Sequence, residues 1–362
     1  MAMPANKNMV LTPILSFDAD MLDATGFTKA DITDLASLEP IFDKLLTLYP
    51  DVYPFVSTDL QNKNLPYYFY SKESIDSIGN DYGVVINGDG KVVNLFETDL
   101  YKELCVMMKR WHDKGYMPAD LATGTMTGME YMKAGKGFCT YASYGRQQNY
   151  DTFGTMLTAR YGRRMDNTEI ATGYLTTDFA SATIGVPSTS KCVDAAVQMM
   201  NIITTDEYVY NTLLWGIEGQ DYVVTDKSAK YWVVNYPEGL TADTVPYCAF
   251  MTMGEFGTES LMWGLDNGLT QDAIAASKDF AHTVNTTANR SPYYGFRFDA
   301  SSAKTELTAL NNAFEQYAYP LMCGSVDVDS TLAKFNDALK KAGLDTIMAE
   351  KQKQLDAWLA NH

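Results

Sequence analysis

The stretch TTDEYVYNTLLWGIEGQDYVV, Thr204–Val224, packs a helix, a stop, a polar turn and a strand into about twenty residues. Asp206 carries the short carboxylate of an N-cap, and Val209, Leu213 and Leu214 follow at helical spacing. Gly216 predicts a left-handed C-cap. Glu218 then stands between Ile217 and Gly219, and Tyr222 opens a β-rich run. Upstream, SATIGVPSTSKCVDAAVQMMNIITTDE reads as a strand, a Pro-Ser-Thr cap and a helix over Val193–Thr204. Downstream, VVTDKSAKYWVVNYPEGL reads as a hairpin.

The chain has 362 residues, room for two domains, and its 46% hydrophobic and 20% charged residues are ordinary for a globular protein. Its 28 basic and 45 acidic residues give a net charge of −17, which argues against nucleic acid and anionic lipid as partners. Of its 24 Tyr, 16 Phe and 5 Trp, most fill the core on the plainer reading. On the other reading a minority line a sugar site, because aromatic faces stack on the apolar C–H faces of pyranose rings. Cys105, Cys139, Cys192, Cys248 and Cys323 form no CxxC motif and read as buried free thiols. His112, His282 and His362 make no metal-ligand spacing with them, so no metal or cofactor is expected. MAMPANKNMVLTPILSF lacks the basic and apolar regions of a signal peptide, and no apolar run approaches the roughly twenty residues of a membrane span.

Asn8–Phe17 reads as a strand. Leu38, Ile41, Phe42, Leu45 and Leu46 form a helical stripe behind a capping region at Asp31–Asp34. Leu65–Gly79 is a Tyr-rich loop or short helix. Val84–Ile86 and Val92–Val93 flank NGDG as a hairpin, and that tetrapeptide lacks the spacing of a calcium loop. Thr98–Met117 is an amphipathic helix with Leu100, Leu104, Met107, Met108 and Trp111 on one face and Gly115 at its end. A shorter helix lies within Leu121–Ala134, KGFCTYASYGRQQNYDTFG is a buried strand ending in a polar aromatic loop, and Gln271–Ala288 is helical. Near the C-terminus, Asp299 or Ser301 caps a helix running to about Tyr319. Asp329 or Ser330 caps the next, with Leu332, Phe335 and Leu339 on one face and Gly343 at its end. A last helix carries Ile347, Leu355 and Leu359 inward and Glu350, Lys351 and Lys353 outward.

Two stretches carry a family likeness. Ala180–Tyr222, with its TDE and GIEG..Y elements, resembles the return segment of bacterial extracellular solute-binding proteins. NRSPYYGFRFD…AGLDTIMAEKQKQLDAW is the more specific one, through Gly295, Phe296, Asp299, Lys304, Glu306, Gly324, Ser325, Asp327, Gly343, Leu344, Asp345, Gln354, Leu355, Asp356 and Trp358. It resembles the LipO-like lipoprotein branch of the family-one type, the substrate-capturing subunits of ABC importers usually assigned to carbohydrates. Arg297 and Ala303 depart from that pattern.

The resemblance implies a two-lobed, periplasmic-binding-protein-like α/β fold of type II, with the first lobe incomplete at the N-terminus and the export signal and lipidated Cys absent from this chain. It implies residues 1–17 as a hinge-proximal strand and remnant of lobe one and 18–172 as lobe two. Residues 173–300 then return to lobe one, and 301–362 form a helical region packing across the lobes. It also implies hinge closure on an oligosaccharide, delivery to membrane permease subunits, no enzymatic activity, and an extracellular, lipid-anchored full-length form. The ligand candidates are Tyr68 and Tyr70, then Tyr144, Arg146, Gln147 and Gln148, then Trp215, Glu218 and Tyr222, and finally Tyr294 and Phe296. Each aromatic has a core alternative, and the Arg146 loop a solvated one. No nucleophile elbow, P-loop, Rossmann fingerprint or HExxH occurs, so no catalytic residue is assigned. A glycan-active hydrolase using Glu218 and a folded fragment without binding competence are the alternatives.

Overall fold

The run TPILSFD forms the strand Thr12–Asp18, and every one of its residues is buried because the strand is paired on both edges and covered on both faces. Gly137–Tyr144 and Met165–Glu169 flank it antiparallel, and Tyr53–Ser57 runs parallel to Gly137–Tyr144 on the outside. The expected strand over Asn8–Phe17 thus starts at Thr12 among the described residues. The computed structural model describes residues 2–4, 10, 12–57, 65, 68, 73–144, 154, 157–158, 161–171, 174–175, 183–227, 232–241, 244–249, 259–266 and 270–362. The chain divides into two compact units. The first is Met1–Met9, Arg146–Ala159 and Phe179–Thr287, and the second is Val10–Gly145, Arg160–Asp178 and Ala288–His362.

In the second unit, Asp18 ends the central strand and caps the helix Ala19–Thr25, its Oδ1 accepting from the Met21 N–H at 2.9 Å. The other carboxylate oxygen pairs with Arg163 at 2.6 Å, which compensates a carboxylate only 1% exposed. The helix Glu39–Leu48 buries Ile41, Phe42 and Leu45, as its spacing requires. Asp99–Asp113 is capped by the Thr98 hydroxyl and buries Tyr101, Leu104, Cys105, Met108 and Trp111. The Trp111 ring packs edge-on to Phe42 at 5.1 Å and to Phe55 at 5.2 Å, joining two helices and the sheet. The NGDG hairpin forms where expected, with Val84 opposite Val93 and Val85 opposite Val92. Asn87, Gly88 and Gly90 take positive φ in its turn.

The three C-terminal helices all belong to this unit, and each corrects a detail of the sequence reading. Lys304–Met322 has no side-chain cap, because Asp299 spends its carboxylate on the Ser301 N–H upstream. The helix continues through Pro320. Val328–Lys341 is capped by Asp327, which accepts from the Ser330 N–H at 2.9 Å and hydroxyl at 2.6 Å. In the helix Leu344–Leu359, Leu359 is exposed and Lys351 is fully buried. Four residues separate Lys351 from both Ile347 and Leu355, so helix geometry places it inward despite its charge. Its ammonium donates to three carbonyls, Ser77 at 2.9 Å, Asn80 at 2.7 Å and Gly83 at 2.7 Å. The loop they belong to holds buried Ile78 at φ 42, a backbone region that a β-branched residue rarely adopts. Among the cysteines, Cys105, Cys139 and Cys323 are buried as expected, whereas Cys192 is exposed at the start of the helix Val193–Thr205 and Cys248 is half-buried.

The first unit carries the helices Val193–Thr205, Glu207–Trp215 and Gln271–Thr287. Its three-stranded sheet has the order Val223–Asp226, Val233–Asn235, Gly264–Leu265, the first pair being the expected hairpin.

Replacing Lys351 with Met keeps the aliphatic stem and strips the donor from three carbonyls, that of Gly83 buried and those of Ser77 and Asn80 partly buried; a buried group left unsatisfied costs about 1–3 kcal/mol. Removing the buried charge offsets part of that, so we expect a net loss of about 2 kcal/mol, read as a lower urea midpoint. An unchanged midpoint would show that the loop holds its shape without the ammonium.

Candidate functional site

The site is built on the turn that follows Glu207–Trp215 in the first unit. Asp206 caps this helix, its Oδ1 accepting from the Val209 N–H at 2.9 Å, as its sequence position suggests. The buried stripe is Tyr210, Asn211, Leu214 and Trp215; of the expected residues Leu214 is in it, whereas Val209 and Leu213 are half-buried, which shifts its centre toward Asn211. The shift follows from Asn211, which is fully buried because its amide is fully used. Its Nδ2 donates to the carbonyls of Glu207 at 2.7 Å and Leu261 at 2.8 Å, and its Oδ1 accepts from the Trp263 N–H at 2.8 Å. Glu207 accepts from the Trp263 indole N–H at 2.9 Å. Trp263 is therefore held by its backbone and by its ring.

The helix ends at Gly216 with φ 88 and ψ −131. The φ is positive as expected, but the ψ is not that of a left-handed cap; the pair is one that glycine adopts and L side chains avoid. Buried Asp221 closes the turn by accepting from the Ile217 N–H at 2.9 Å. The last-turn carbonyls of Leu213 and Leu214 are taken by the Tyr247 hydroxyl at 2.6 Å and the Ala249 N–H at 2.9 Å.

Trp263 is the floor of an aromatic group. Trp232, half-buried, stacks on it with centroids 4.8 Å apart and planes 28° apart. Tyr222 lies 5.8 Å and Tyr208 6.4 Å from the same ring. Lys227 sits with Nζ 4.8 Å from the Trp232 centroid and 2.9 Å from Glu218 Oε1. A half-exposed indole beside an exposed carboxylate and ammonium is an arrangement that stacks a sugar ring and hydrogen-bonds its hydroxyls. Burial pushes the Tyr222 phenol above its usual value, and the neighbouring Glu218 carboxylate adds to the rise, so the phenol stays protonated and can donate.

The return-segment candidates Trp215, Glu218 and Tyr222 thus fall in one place. Glu218 is exposed, whereas Trp215 and Tyr222 are 1% and 2% exposed and pack as core beneath the turn. In the second unit Tyr68 is buried in the main core, and Phe296 is buried against Trp358 in a smaller cluster with Ile78, Val85 and Leu355. Tyr294 is half-buried, with the Arg290 guanidinium 5.7 Å from its ring centroid. Tyr144 ends the strand Gly137–Tyr144, and its side chain lies outside the described residues. Tyr70, Arg146, Gln147 and Gln148 also lie outside them. Sequence reasoning missed Lys227, Trp232 and Trp263. The hairpin was readable and placed Lys227 and Trp232 on its two arms, but no local pattern links Trp232 to Trp263.

A family described as a domain of unknown function (DUF3502) matches residues 292–360. A protein of Streptococcus pneumoniae serotype 4 (strain ATCC BAA-334 / TIGR4), named a carbohydrate ABC transporter substrate-binding protein, is 24% identical over 370 residues, covering 99% of this chain and 70% of that protein. The crystal structure of the N-glycan transport solute binding protein NgtS from Streptococcus pneumoniae superposes with a TM-score of 0.78 at 22% identity, over 99% of this chain and 75% of that one. Its complex with Man5GlcNAc gives 0.74 at 22% identity, over 99% of this chain and 75% of that one. The α/β fold of the chain is that of the solute-binding proteins, in agreement with the likeness drawn from its sequence.

Replacing Gly216 with Ala forces a side chain into a glycine conformation and drives its Cβ into the Asp221 carboxylate. Strain of this kind costs about 1–3 kcal/mol. We expect a lower unfolding midpoint and altered tryptophan emission; a variant matching the parent in both would show that the turn relaxes freely.

Proposed function

We propose that this chain is the substrate-capturing component of an ABC importer and that it binds an oligosaccharide. The observation that carries the reading is the likeness over 99% of the chain to solute-binding proteins, among them one solved with a mannose–GlcNAc glycan. The Trp232–Trp263 stack with Glu218 and Lys227 at its edge supports it, since it offers an apolar ring face and hydrogen-bonding groups of both kinds. On this reading the protein works outside the cell, the full-length form is tethered by lipid, and the bound form is handed to permease subunits in the membrane. Among the described residues no helix is long and apolar enough to cross a membrane. The role is binding without turnover.

A thermal-shift screen tests this, using oligomannose glycans ending in GlcNAc, maltodextrins, and a panel of peptides and amino acids. A saccharide at a hundredfold excess over its Kd stabilises by about 2.7 kcal/mol, so a selective shift with one glycan class is the expected result. A shift with peptides alone would replace the ligand class, and release of free sugar from the glycan by the unaltered chain would replace binding with hydrolysis.

A further inference from the structure

One face of the Trp232 ring rests on buried Trp263, with centroids 4.8 Å apart, so that face is closed to a ligand and, among the described residues, the opposite face is the one left for stacking. The Lys227 ammonium lies over the ring at 4.8 Å, and because Trp263 fills the inner face it covers the outer one. The ring a saccharide would stack on is thus already covered by part of the protein. The cover is weakly held. Lys227 and Glu218 side chains are 51% and 48% exposed, and an ion pair in that setting is screened by water and contributes little. An exposed ammonium over an indole is likewise a small attraction. Lys227 follows the strand Val223–Asp226 on a flexible four-carbon stem, so its head can move while the backbone stays.

We infer that Lys227 is a displaceable cap on Trp232, moved aside by an incoming saccharide ring and then used, with Glu218, to bind the hydroxyls at that ring's edge. The inference rests on the oligosaccharide-binding reading and adds to it a gate and a selectivity. With the cap in place, the ring is shielded from solvent and from passing apolar solutes. A ligand must offer both a C–H face to replace the ammonium and oxygen atoms to re-engage it. Lys227 donates to those oxygens and Glu218 accepts from hydroxyls, so adjacent sugar hydroxyls satisfy both heads of the broken ion pair. A flat apolar ring offers no oxygen to either head, so it lacks the edge hydrogen bonds that a saccharide gains there.

The test uses the full chain, the Man5GlcNAc glycan, acrylamide quenching of tryptophan fluorescence, calorimetry and stopped-flow mixing. Without ligand, Lys227→Ala should make the emission more quenchable than in the parent, and that increment should vanish in the double variant Lys227→Ala, Trp232→Phe. Glycan should restore protection, and its association rate constant should rise several-fold in Lys227→Ala. Trp232→Ala should weaken glycan binding by about tenfold or more, the scale of losing one aromatic stacking partner. Unfolding midpoints of the variants check that each is folded, and Trp232→Phe serves if Trp232→Ala is not. Equal quenching in Lys227→Ala and parent, or equal affinity in parent and Trp232→Ala, would overturn the inference while leaving the glycan-binding function intact. A parent chain that binds no saccharide by calorimetry would overturn both.

Discussion

The second unit depends on a buried ammonium. Lys351 has three N–H donors, and all three end on carbonyls of one loop, Ser77, Asn80 and Gly83. A neutral amine could donate only two of those bonds, so the geometry calls for the charged form. Burial draws its pKa down to about 7, while Asp81 and Asp76 act in the other direction. The charge is thus kept at a cost, and what it holds is the loop that carries Ile78 at positive φ. The same helix ties down other segments in the same manner. The Gln352 amide accepts from the Val92 N–H and donates to the Gly90 carbonyl, both at 2.8 Å. Gln354 does the same for the backbone of Asp299, at 2.8 and 3.1 Å. The last helix is therefore a row of side chains reading the main chain of three separate loops. This gives the C-terminal stretch, within the matched residues 292–360, a physical reason for carrying buried Lys351 and half-buried Gln352 and Gln354 on its inner side.

The first unit solves a similar problem with an aromatic group. Its described core is small, so orientation comes from directed hydrogen bonds. Asn211 and Glu207, both on one helix, hold Trp263 by its backbone and its indole N–H. Trp232 stacks on this fixed ring, and the Gly216 turn sets Glu218 beside Lys227 near the stack. A packed aromatic floor and a half-exposed ionic edge are different physical materials. The first gives a ligand a pre-formed surface, and the second lets that surface be covered or exposed at small cost.

Much of this was legible in the chain itself, for a definite reason. Helical stripes such as Ile41, Phe42 and Leu45, the N-cap Asp206, and the NGDG hairpin are set by interactions within a few residues. So was the family likeness, which rests on a long ordered string of residues rather than on any one of them. The misreadings share one cause. Lys351 was assigned outward from its charge, although its spacing from Ile347 and Leu355 pointed inward. Trp215, Tyr222, Tyr68 and Phe296 read either as ligand contacts or as core from their ring chemistry, and tertiary packing buries all four. Asp299 and Asp329 were plausible caps by type, and Asp327 has the geometry.

The sequence by itself determined most helices and hairpins, and a likeness to solute-binding proteins that carries the α/β class with it. These depend on local periodicity, local caps and ordered motifs, all of which a linear string records. Only the tertiary structure decided where a charge is tolerated and which aromatic is a surface. Lys351 becomes an interior residue because three carbonyls from a loop some 270 positions away converge on it. Trp232 becomes a platform because Trp263, fixed by Asn211 some 52 positions upstream, lies beneath it. Both outcomes turn on desolvation and partner geometry, which exist only once distant segments have met.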